Sequence, residues 1–228
     1  MIDFLNDIDT SVFLFFHNIR DPFLDSFMWY FSKKLIWVPM YAALLFFTYY
    51  DFSCRKAVIC VLALALTITL ADQICATFIR PYCERLRPTN PDNPLSAMVT
   101  LVNGYRSGRY GFPSCHAANT FALATIIALI ARQRRLTLFM FIWAAITCYS
   151  RVYLGVHYPG DLLVGAVVGS ICGLIVYYAA LYVSSRIFPA PALRASGNDI
   201  LRMKSPDIIT LVGIVTILVI TVISLCKA

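Results

Sequence analysis

The sequence predicts an all-α, polytopic membrane protein with six transmembrane helices, an N-terminal interfacial helix, and a cap between spans two and three. Composition is the first reason: 60% of the 228 residues are hydrophobic and 14% are charged, whereas soluble domains are about half apolar and about a quarter charged. The second reason is that the apolar residues form long runs, and the third is that only one long polar connection interrupts them. Residues 1–228 are treated as one membrane-embedded domain.

Residues 1–20 are expected to form an amphipathic helix in the membrane interface. Apolar side chains such as Phe4, Ile8 and Val12 recur there at helical spacing. A helix packed on the bundle would show the same pattern, so both arrangements stay open. The segment carries acidic residues such as Asp9 where a signal peptide would be basic, so no cleavable signal peptide is predicted. His17 is expected at the interface, without a chemical role.

Six apolar runs, nearly free of charge, are the predicted spans. A helix needs about 20 residues to cross the hydrocarbon layer. The third and fourth runs are shorter than that, so they must include polar residues at their ends, and those ends carry the candidate chemistry. The six runs are Leu35–Tyr50, Val58–Phe78, Ala117–Ile130, Leu136–Tyr149, Asp161–Val183 and Ile208–Cys226.

The connection between spans two and three, residues 80–112, is the only long one. It contains four prolines and then an apolar stretch over residues 95–102. A loop of this length in a compact protein is usually functional or disordered, and candidate site residues flank it on both sides. We therefore expect a cap over the active site that carries one short helix.

The basic turn between spans three and four sets the predicted orientation. Arg132, Arg134 and Arg135 lie directly between two spans, where basic residues mark the cytoplasmic side most reliably. Both termini, the cap and the turn at residues 150–160 then lie on the other side. The sequence thus predicts a protein of the bacterial inner (cytoplasmic) membrane whose site faces the periplasm or exterior.

Two helix N-termini on that outer side are predicted to bind an anion. Pro113 and Pro159 suit the first turn of a helix, where a missing N–H is tolerated. The N–H groups around Ser114, Cys115 and His116 would be free to bind a negative group. Nearby arginines add guanidinium groups that hold phosphate oxygens in a bidentate manner. These arginines are Arg80, Arg87 and Arg151.

The two histidines beside these arginines have complementary positions. His157 and Asp161 are four residues apart across the start of a helix, so the carboxylate can accept a hydrogen bond from Nδ1–H and leave Nε2 free to attack phosphorus. His116 would approach from the opposite side and protonate the leaving oxygen. A nucleophile, an orienting carboxylate, a proton donor and a cationic clamp together suit phosphoryl transfer.

This arrangement resembles the signature of the type 2 phosphatidic acid phosphatase superfamily, which also includes the vanadium haloperoxidases. That signature has three parts, Lys-x6-Arg-Pro, Pro-Ser-Gly-His and Ser-Arg-x5-His-x3-Asp. The corresponding segments here are Arg80-x6-Arg87-Pro88, Pro113-Ser114-Cys115-His116 and Ser150-Arg151-x5-His157-x3-Asp161. The resemblance covers residues 80–161 and the six-helix plan.

The resemblance implies a role for each matching residue. His157 would be the nucleophile, with Asp161 as its partner and His116 as the general acid. The phosphate group would be bound by Arg80, Arg87, Ser114, Cys115 and Arg151. Arg80 departs from the family's lysine and Cys115 from its glycine, and both changes are expected to affect substrate choice rather than the reaction.

The sequence also limits the function classes. The net charge of +7 does not indicate nucleic-acid binding, because the basic residues are spread over membrane loops. Metal-dependent phosphatases need several converging carboxylates, and only Glu84 and Asp161 lie in or beside the motifs. The eight cysteines show no metal-ligand spacing with histidine. A metal-independent hydrolase without a cofactor or an obligatory protein partner is therefore expected.

Several alternatives remain open at this stage. The substrate could be a polyprenyl diphosphate, a lipid A-type phosphate, phosphatidylglycerol phosphate or phosphatidic acid. A non-enzymatic anion-binding or transport protein could use the same pocket. The intramembrane Asp72 could act in function or make an inter-helix hydrogen bond. The cap arginines, Arg85, Arg106 and Arg109, could be plain positive loop charges.

Overall fold

The computed structural model describes residues 2–187 and 206–228, and it is built from helices. Within these residues the only extended pairing is an isolated antiparallel bridge between Leu86 and Tyr110. The remaining residues of the predicted domain, Met1 and residues 188–205, lie outside the described ones. The α-helices are α1 (Ile2–His17), α2 (Pro22–Phe31), α3 (Val38–Asp51), α4 (Cys54–Gln73), α5 (Arg80–Cys83), α6 (Cys115–Ala131), α7 (Arg134–Tyr153), α8 (Pro159–Ile187) and α9 (Pro206–Leu225).

The six predicted apolar runs fall, in chain order, on helices α3, α4, α6, α7, α8 and α9. Among the described residues, four continuous helices are long and apolar enough to cross a membrane: Cys54–Cys83, Arg134–Tyr153, Pro159–Ile187 and Pro206–Leu225. Helix α6 is apolar but has 17 residues, and α3 has 14 residues after a 3₁₀ turn at Lys34–Trp37. An all-helical protein with four candidate membrane spans among the described residues is therefore confirmed, whereas the count of six remains a prediction.

Helix α4 continues without a break into the segment that carries the first motif. A π-helical stretch at Ile74–Ile79 joins it to α5. Pro81 follows that stretch, and proline has no N–H to donate to the preceding turn, so a local change of helical geometry is expected here. The widened turn ends at Arg80 and directs the chain into the cap.

Helices α6 and α8 pack against each other at the centre of the bundle. A Cβ added to Gly169 would lie 2.0 Å from the Ala118 carbonyl oxygen, and one added to Gly165 would lie 2.4 Å from the Ser114 carbonyl oxygen. Small residues spaced four apart allow two helix backbones to approach this closely. The contact fixes the N-termini of α6 and α8 side by side, which is where the second motif lies and where the third motif ends.

Helix α1 packs on the bundle through one face. Phe13 and His17 on that face are fully buried, and α1 contacts α7 and α8. The opposite face exposes apolar side chains such as Phe4, Leu5 and Phe15. The amphipathic pattern therefore reflects packing on the bundle on one side and an apolar exterior on the other.

The surroundings of His17 differ from the sequence expectation, because the ring is buried rather than interfacial. Its Nε2 accepts a hydrogen bond from the Thr100 N–H (3.0 Å), and its Nδ1 lies 3.4 Å from the Val152 carbonyl oxygen. Burial, and secondarily the charge of Arg20, lower the pKa of His17 below its ordinary value of 6.5. A neutral His17 thus ties the cap segment to α1 and α7.

The cap contains two short 3₁₀ turns, Pro94–Met98 and Val102–Gly104. The first lies where the apolar stretch predicted a short helix. Asn93 begins this turn, and its side chain accepts a hydrogen bond from the Leu95 N–H (3.0 Å). The cap also reaches the third motif, because the Thr89 N–H donates to the Gly155 carbonyl oxygen (3.1 Å).

Candidate active site

The three motif segments meet at one end of the bundle. The first follows the π-helical stretch after α4, the second forms the N-terminus of α6, and the third spans the end of α7 and the start of α8. The Ser114 N–H donates to the Asp161 main-chain carbonyl (3.0 Å), which joins the second segment to the third. Residues distant in sequence thereby come together at one end of the bundle.

His157 and Asp161 form the contact that their spacing predicts. The Nδ1 of His157 lies 3.3 Å from Oδ2 of Asp161, and both side chains are buried. The same Oδ2 accepts a hydrogen bond from the Tyr158 N–H (3.0 Å). A carboxylate can only accept here, so the imidazole donates from Nδ1 and carries its lone pair on Nε2.

Arg87 approaches His157 from the other side of the ring. Its Nη1 lies 2.7 Å from Nε2 of His157 and donates to the Val156 carbonyl oxygen (2.9 Å), while Nε donates to the Tyr110 carbonyl oxygen (3.0 Å). A guanidinium can only donate, so Nε2 is the acceptor and the ring is neutral. Arg87 therefore lies beside the atom expected to attack phosphorus. Its guanidinium N–H groups could there also donate to the oxygens of a phosphoryl group.

The charges around His157 keep its ring neutral. Burial, followed by the positive charges of Arg87 and Arg151, holds the pKa of His157 well below 6.5. Burial also lowers the pKa of Arg87 to about 10, with Arg151 and Arg80 contributing. Several cations in one buried pocket repel each other, so a dianionic phosphate would relieve that repulsion on binding.

Gly111 leaves the space that the His157–Asp161 pair requires. A Cβ at this position would lie 3.0 Å from Oδ2 of Asp161 and 3.1 Å from Cγ of Arg87. The Gly111 N–H donates to the Arg85 carbonyl oxygen (2.8 Å). The end of the cap therefore lies directly against His157 and Asp161, and a larger residue would displace it.

The two departures from the family signature contact each other. The Nη2 of Arg80 donates to Sγ of Cys115 (2.8 Å) and to the Pro113 carbonyl oxygen (2.9 Å). Ser114 is the N-cap of α6, and its side chain accepts from the Ala117 N–H (3.4 Å). The arginine and the cysteine thus fill adjoining space beside the helix N-terminus expected to bind phosphate.

Arg151 is held by residues outside the three motifs. Its Nη1 donates to Oγ of Ser32 (2.5 Å), and its Nη2 donates to the Tyr105 hydroxyl (3.4 Å). Ser32 follows α2 and Tyr105 belongs to the cap, so both segments help to position this guanidinium. Neither residue belongs to a pattern in the sequence that would assign it to the site.

His116 lies on a large apolar cavity. The cavity has a volume of about 460 Å³ and is lined by residues of helices α3, α4, α6 and α7, with Phe31 and Ser32 at the end of α2. Its wall includes Trp37, Ile68, Leu123 and Trp143, and cavities of this size commonly hold small-molecule ligands. The predicted proton donor therefore faces the space where an apolar leaving group would lie.

Two charged residues enter the site that the sequence analysis did not assign to it. Arg85 donates from Nη1 to Oδ1 of Asp161 (2.9 Å) and to Oδ2 of Asp9 (2.7 Å). For Arg85 the sequence leaves loop charge and function as alternatives. Asp9 is one of three aspartates in α1, so no signal in the sequence distinguishes it from the others.

The other undecided residues make structural contacts. Arg106 donates to the Thr89 carbonyl oxygen, and Arg109 forms an exposed ion pair with Asp92 (3.6 Å). Asp72 accepts a hydrogen bond from the Asn119 side chain (3.0 Å), which is the inter-helix alternative. Within residues 2–187 and 206–228, no three His, Cys, Asp or Glu side chains are grouped so that they could hold a metal ion.

Comparison with known proteins gives matches over most of the chain. Residues 61–185 match the PAP2 superfamily. The chain is 46% identical to a lipid A 4′-phosphatase of Bacteroides thetaiotaomicron, over 94% of this chain and 97% of that protein. It is 35% identical to a lipid A 4′-phosphatase of Porphyromonas gingivalis, over 81% and 78%. The crystal structure of Aquifex aeolicus LpxE aligns with a TM-score of 0.55 at 29% identity, covering 73% of this chain and 93% of that one.

Proposed function

The chain belongs to the PAP2 superfamily and is a membrane lipid phosphatase, and we propose that it removes the 4′-phosphate of lipid A through a phosphohistidine intermediate. The observation that carries the choice of substrate is the 46% identity to a lipid A 4′-phosphatase along nearly the whole of both chains. Both relatives named above are phosphatases, so the non-enzymatic alternative has no support.

The position of the apolar cavity agrees with a lipid leaving group. His116 lines this cavity, and the wall is largely aliphatic and aromatic. Burial of apolar chains in such a space is favourable by about 25 cal/mol per Å². The sugar hydroxyl that leaves would lie at His116, while acyl chains occupy the cavity between the helices.

The proposed reaction has two steps. In the first, the lone pair on Nε2 of His157 forms the N–P bond, the P–O bond to the sugar breaks, and His116 gives its proton to the departing oxygen. In the second, His116 takes a proton from water, the water oxygen attacks phosphorus, and the N–P bond breaks to release inorganic phosphate. Asp161 holds the imidazole through Nδ1 in both steps.

The arginines stabilise the transferring phosphoryl group. Arg80, Arg87 and Arg151, with Ser114 and the N–H groups at Cys115 and His116, surround the expected position of its oxygens. Phosphoryl transfer is catalysed chiefly by positioning and by neutralising the charge on these oxygens. Guanidinium groups supply that neutralisation in this proposal, so the reaction needs no metal ion.

We propose that α3 and α6 also cross the membrane, which gives six spans together with the four longer helices. The site then lies at the outer surface of the cytoplasmic membrane, because Arg132, Arg134 and Arg135 mark the opposite side. The exposed apolar face of α1 would lie in the interface beside the site. Residues 80–112 would act as the cap.

Purified protein in detergent tests the proposed substrate. Lipid A with both phosphates, undecaprenyl diphosphate and phosphatidylglycerol phosphate are compared for release of inorganic phosphate, in the presence of a chelator. We expect lipid A to be the best substrate, with mass spectrometry showing loss of the 4′-phosphate alone. Faster release from undecaprenyl diphosphate would overturn the substrate assignment, and a strict need for added divalent metal would overturn the proposed mechanism.

A further inference from the structure

Four charged or titratable side chains form a continuous chain from helix α1 to His157. Asp9 in α1 accepts a hydrogen bond from Arg85 through Oδ2 (2.7 Å), and Arg85 donates to Oδ1 of Asp161 (2.9 Å). Asp161 then contacts Nδ1 of His157 through its other oxygen (3.3 Å). The chain connects three segments that are far apart in sequence.

Arg85 is the hydrogen-bond and ion-pair partner of one of the two carboxylate oxygens of Asp161. The Asp161 side chain is 0% exposed, and a buried carboxylate is unfavourable unless charges and hydrogen bonds compensate it. Its Oδ2 contacts His157 and the Tyr158 N–H, while its Oδ1 faces Arg85. Arg85 is therefore the cation that compensates the half of the carboxylate turned away from His157.

Arg85 is itself fixed in place from two directions. Its guanidinium carbon lies 4.0 Å from the centroid of the Tyr158 ring, within the range of a favourable cation–π contact. Asp9 holds the same Nη1 that contacts Asp161. The side chain is 22% exposed, so the ion pairs are partly shielded from water and from salt.

Asp9 also contacts the backbone immediately before Asp161. Its Oδ1 accepts a hydrogen bond from the Gly160 N–H (2.7 Å). This N–H lies in the first turn of α8, where backbone donors have no acceptor within the helix. A Cβ at Gly160 would lie 2.7 Å from Oδ2 of Asp9, so glycine permits this approach. Asp9 thus holds both Arg85 and the start of the helix that carries Asp161.

We propose that Asp9 and Arg85 are positioning residues for the reaction: they keep Asp161 ionised and aligned on Nδ1 of His157, which presents Nε2 to the phosphoryl group. The N-terminal helix is on this account part of the active site. The inference rests on the phosphohistidine mechanism proposed above.

A direct role for Arg85 in phosphate binding would have a different kinetic signature. Its Nη1 already donates to two carboxylates, and its substitution should therefore leave substrate affinity nearly unchanged. A phosphate ligand would mainly raise KM when removed. A group that acts through Asp161 would mainly lower kcat.

The first experiment compares Arg85→Gln and Asp9→Asn with wild type on the same lipid. Removing a residue that orients a reacting group commonly lowers activity about 10–100-fold, and we expect a fall of kcat in this range for Arg85→Gln with KM changed less than about twofold. Asp9→Asn keeps an acceptor for the Gly160 N–H but loses the ion pair, so its kcat should fall less. Arg85→Lys should recover part of the loss.

Arg109→Gln is the matched control. Arg109 is another cap arginine paired with an aspartate, but both side chains are more than 60% exposed (63% and 64%). Such exposed pairs contribute little, and this variant should retain wild-type kcat and KM. Thermal melting in detergent shows whether each variant is folded. If Arg85→Gln is not folded, the positioning role is tested by kcat and KM of Asp9→Asn.

The decisive measurement is a double-mutant cycle between Arg85→Gln and Asp161→Asn. If Arg85 acts through Asp161, its substitution should have little further effect on kcat once the carboxylate is gone. Independent, multiplicative losses, or a loss confined to KM, would overturn the inference. His157→Ala is measured in parallel: if that variant still releases phosphate, the mechanism fails, whereas wild-type kcat in a folded Arg85→Gln or Asp9→Asn protein contradicts only the positioning role.

Discussion

At His157, two hydrogen bonds fix the imidazole ring, one donated by the ring and one accepted by it. The Nδ1–H faces Asp161, and Nε2 accepts from Arg87. This arrangement sets the tautomer before substrate binds, so Nε2, the proposed nucleophile, does not need to lose a proton in the reaction. Neutral imidazole is the form that attacks phosphorus.

The acid side of the pH profile tests the charges around this ring. Burial and the neighbouring cations hold the pKa of His157 well below 6.5, so kcat/KM of the wild type should persist as the pH falls through that value. Arg87→Gln removes one cation, and the pKa of His157 should rise towards 6.5. The acid limb of kcat/KM should therefore move to higher pH, beyond any uniform loss of rate.

The lowered pKa of His157 also makes the stability of the folded protein depend on pH. A histidine whose pKa is lowered in the folded protein binds its proton more readily in the unfolded chain, so the free energy of unfolding decreases as the pH falls below 6.5.

Arg109→Gln is the control for the pH profile of kcat/KM, and the acid limb of this variant should coincide with that of wild type. An unshifted limb in Arg87→Gln would show that Arg87 does not control His157.

The role of His116 can be tested with the leaving group. A sugar alkoxide is a strong base, comparable to hydroxide, whose parent water has a pKa of about 15.7, whereas a departing lipid phosphate has a second pKa of roughly 6. General acid catalysis is typically worth about 10²–10⁴-fold. His116→Ala should therefore lose much more rate on lipid A than on the first step with a polyprenyl diphosphate.

Single-turnover rates on the two lipids provide this comparison. The informative quantity is the ratio of the two losses, because His116 also contributes to the pocket in both cases. Equal losses on both substrates would withdraw the assignment of His116 as the leaving-group acid and limit it to binding or to the hydrolytic step.

Among the helices, the contact between α6 and α8 determines the geometry of the site. Helix α6 carries Ser114 and His116 at or next to its N-terminus, and α8 carries Asp161. Close approach at the glycines of α8 therefore sets the spacing between the predicted acid and the predicted nucleophile's partner. We therefore expect the glycine positions to affect catalysis through backbone distance, without contacting substrate.

Gly169→Ala tests this packing. The added Cβ would lie 2.0 Å from the Ala118 carbonyl oxygen, so the two backbones must separate, and such overpacking costs about 1–3 kcal/mol. We expect a lower melting temperature in detergent together with reduced kcat. Val167→Ala is the control, because Val167 faces outward on the same helix, and it should change neither. An unaltered melting temperature in Gly169→Ala would contradict the close contact.

For the whole molecule, the proposed six spans and the proposed cytoplasmic position of the basic turn together predict its orientation in the membrane. Topology reporters fused after Ala228 and inserted within residues 131–136 should give opposite signals. We expect the first outside and the second in the cytoplasm. A cytoplasmic signal at Ala228 with an external one at the turn would place the site on the inner face.

Much of the molecule could be predicted from the sequence because the relevant signals are local. Runs of apolar residues predicted helices α3, α4 and α6 to α9, since a chain segment in lipid must satisfy its own backbone hydrogen bonds. The spacing of His157 and Asp161 predicted their contact, since residues four apart across a helix start are close. These inferences needed no knowledge of tertiary packing.

The remaining features depend on contacts between distant segments. Asp9 reaches Arg85 and Gly160 only because α1 folds back onto the bundle, and no local pattern encodes that approach. The buried His17 has the same origin. The contact between Arg80 and Cys115 likewise joins two departures from the family signature that are 35 residues apart. Long-range placement of single polar side chains is what the sequence could not supply.

The most direct test of the account is to trap phosphate on the protein. Lipid A labelled with ³²P at the 4′-position is mixed with excess enzyme, quenched in alkali within one turnover, and the protein is assayed for bound label. We predict an acid-labile, alkali-stable phosphoprotein in wild type that is absent from a folded His157→Ala variant. Equal labelling of that variant, or continued release of phosphate by it, would contradict His157 as the nucleophile.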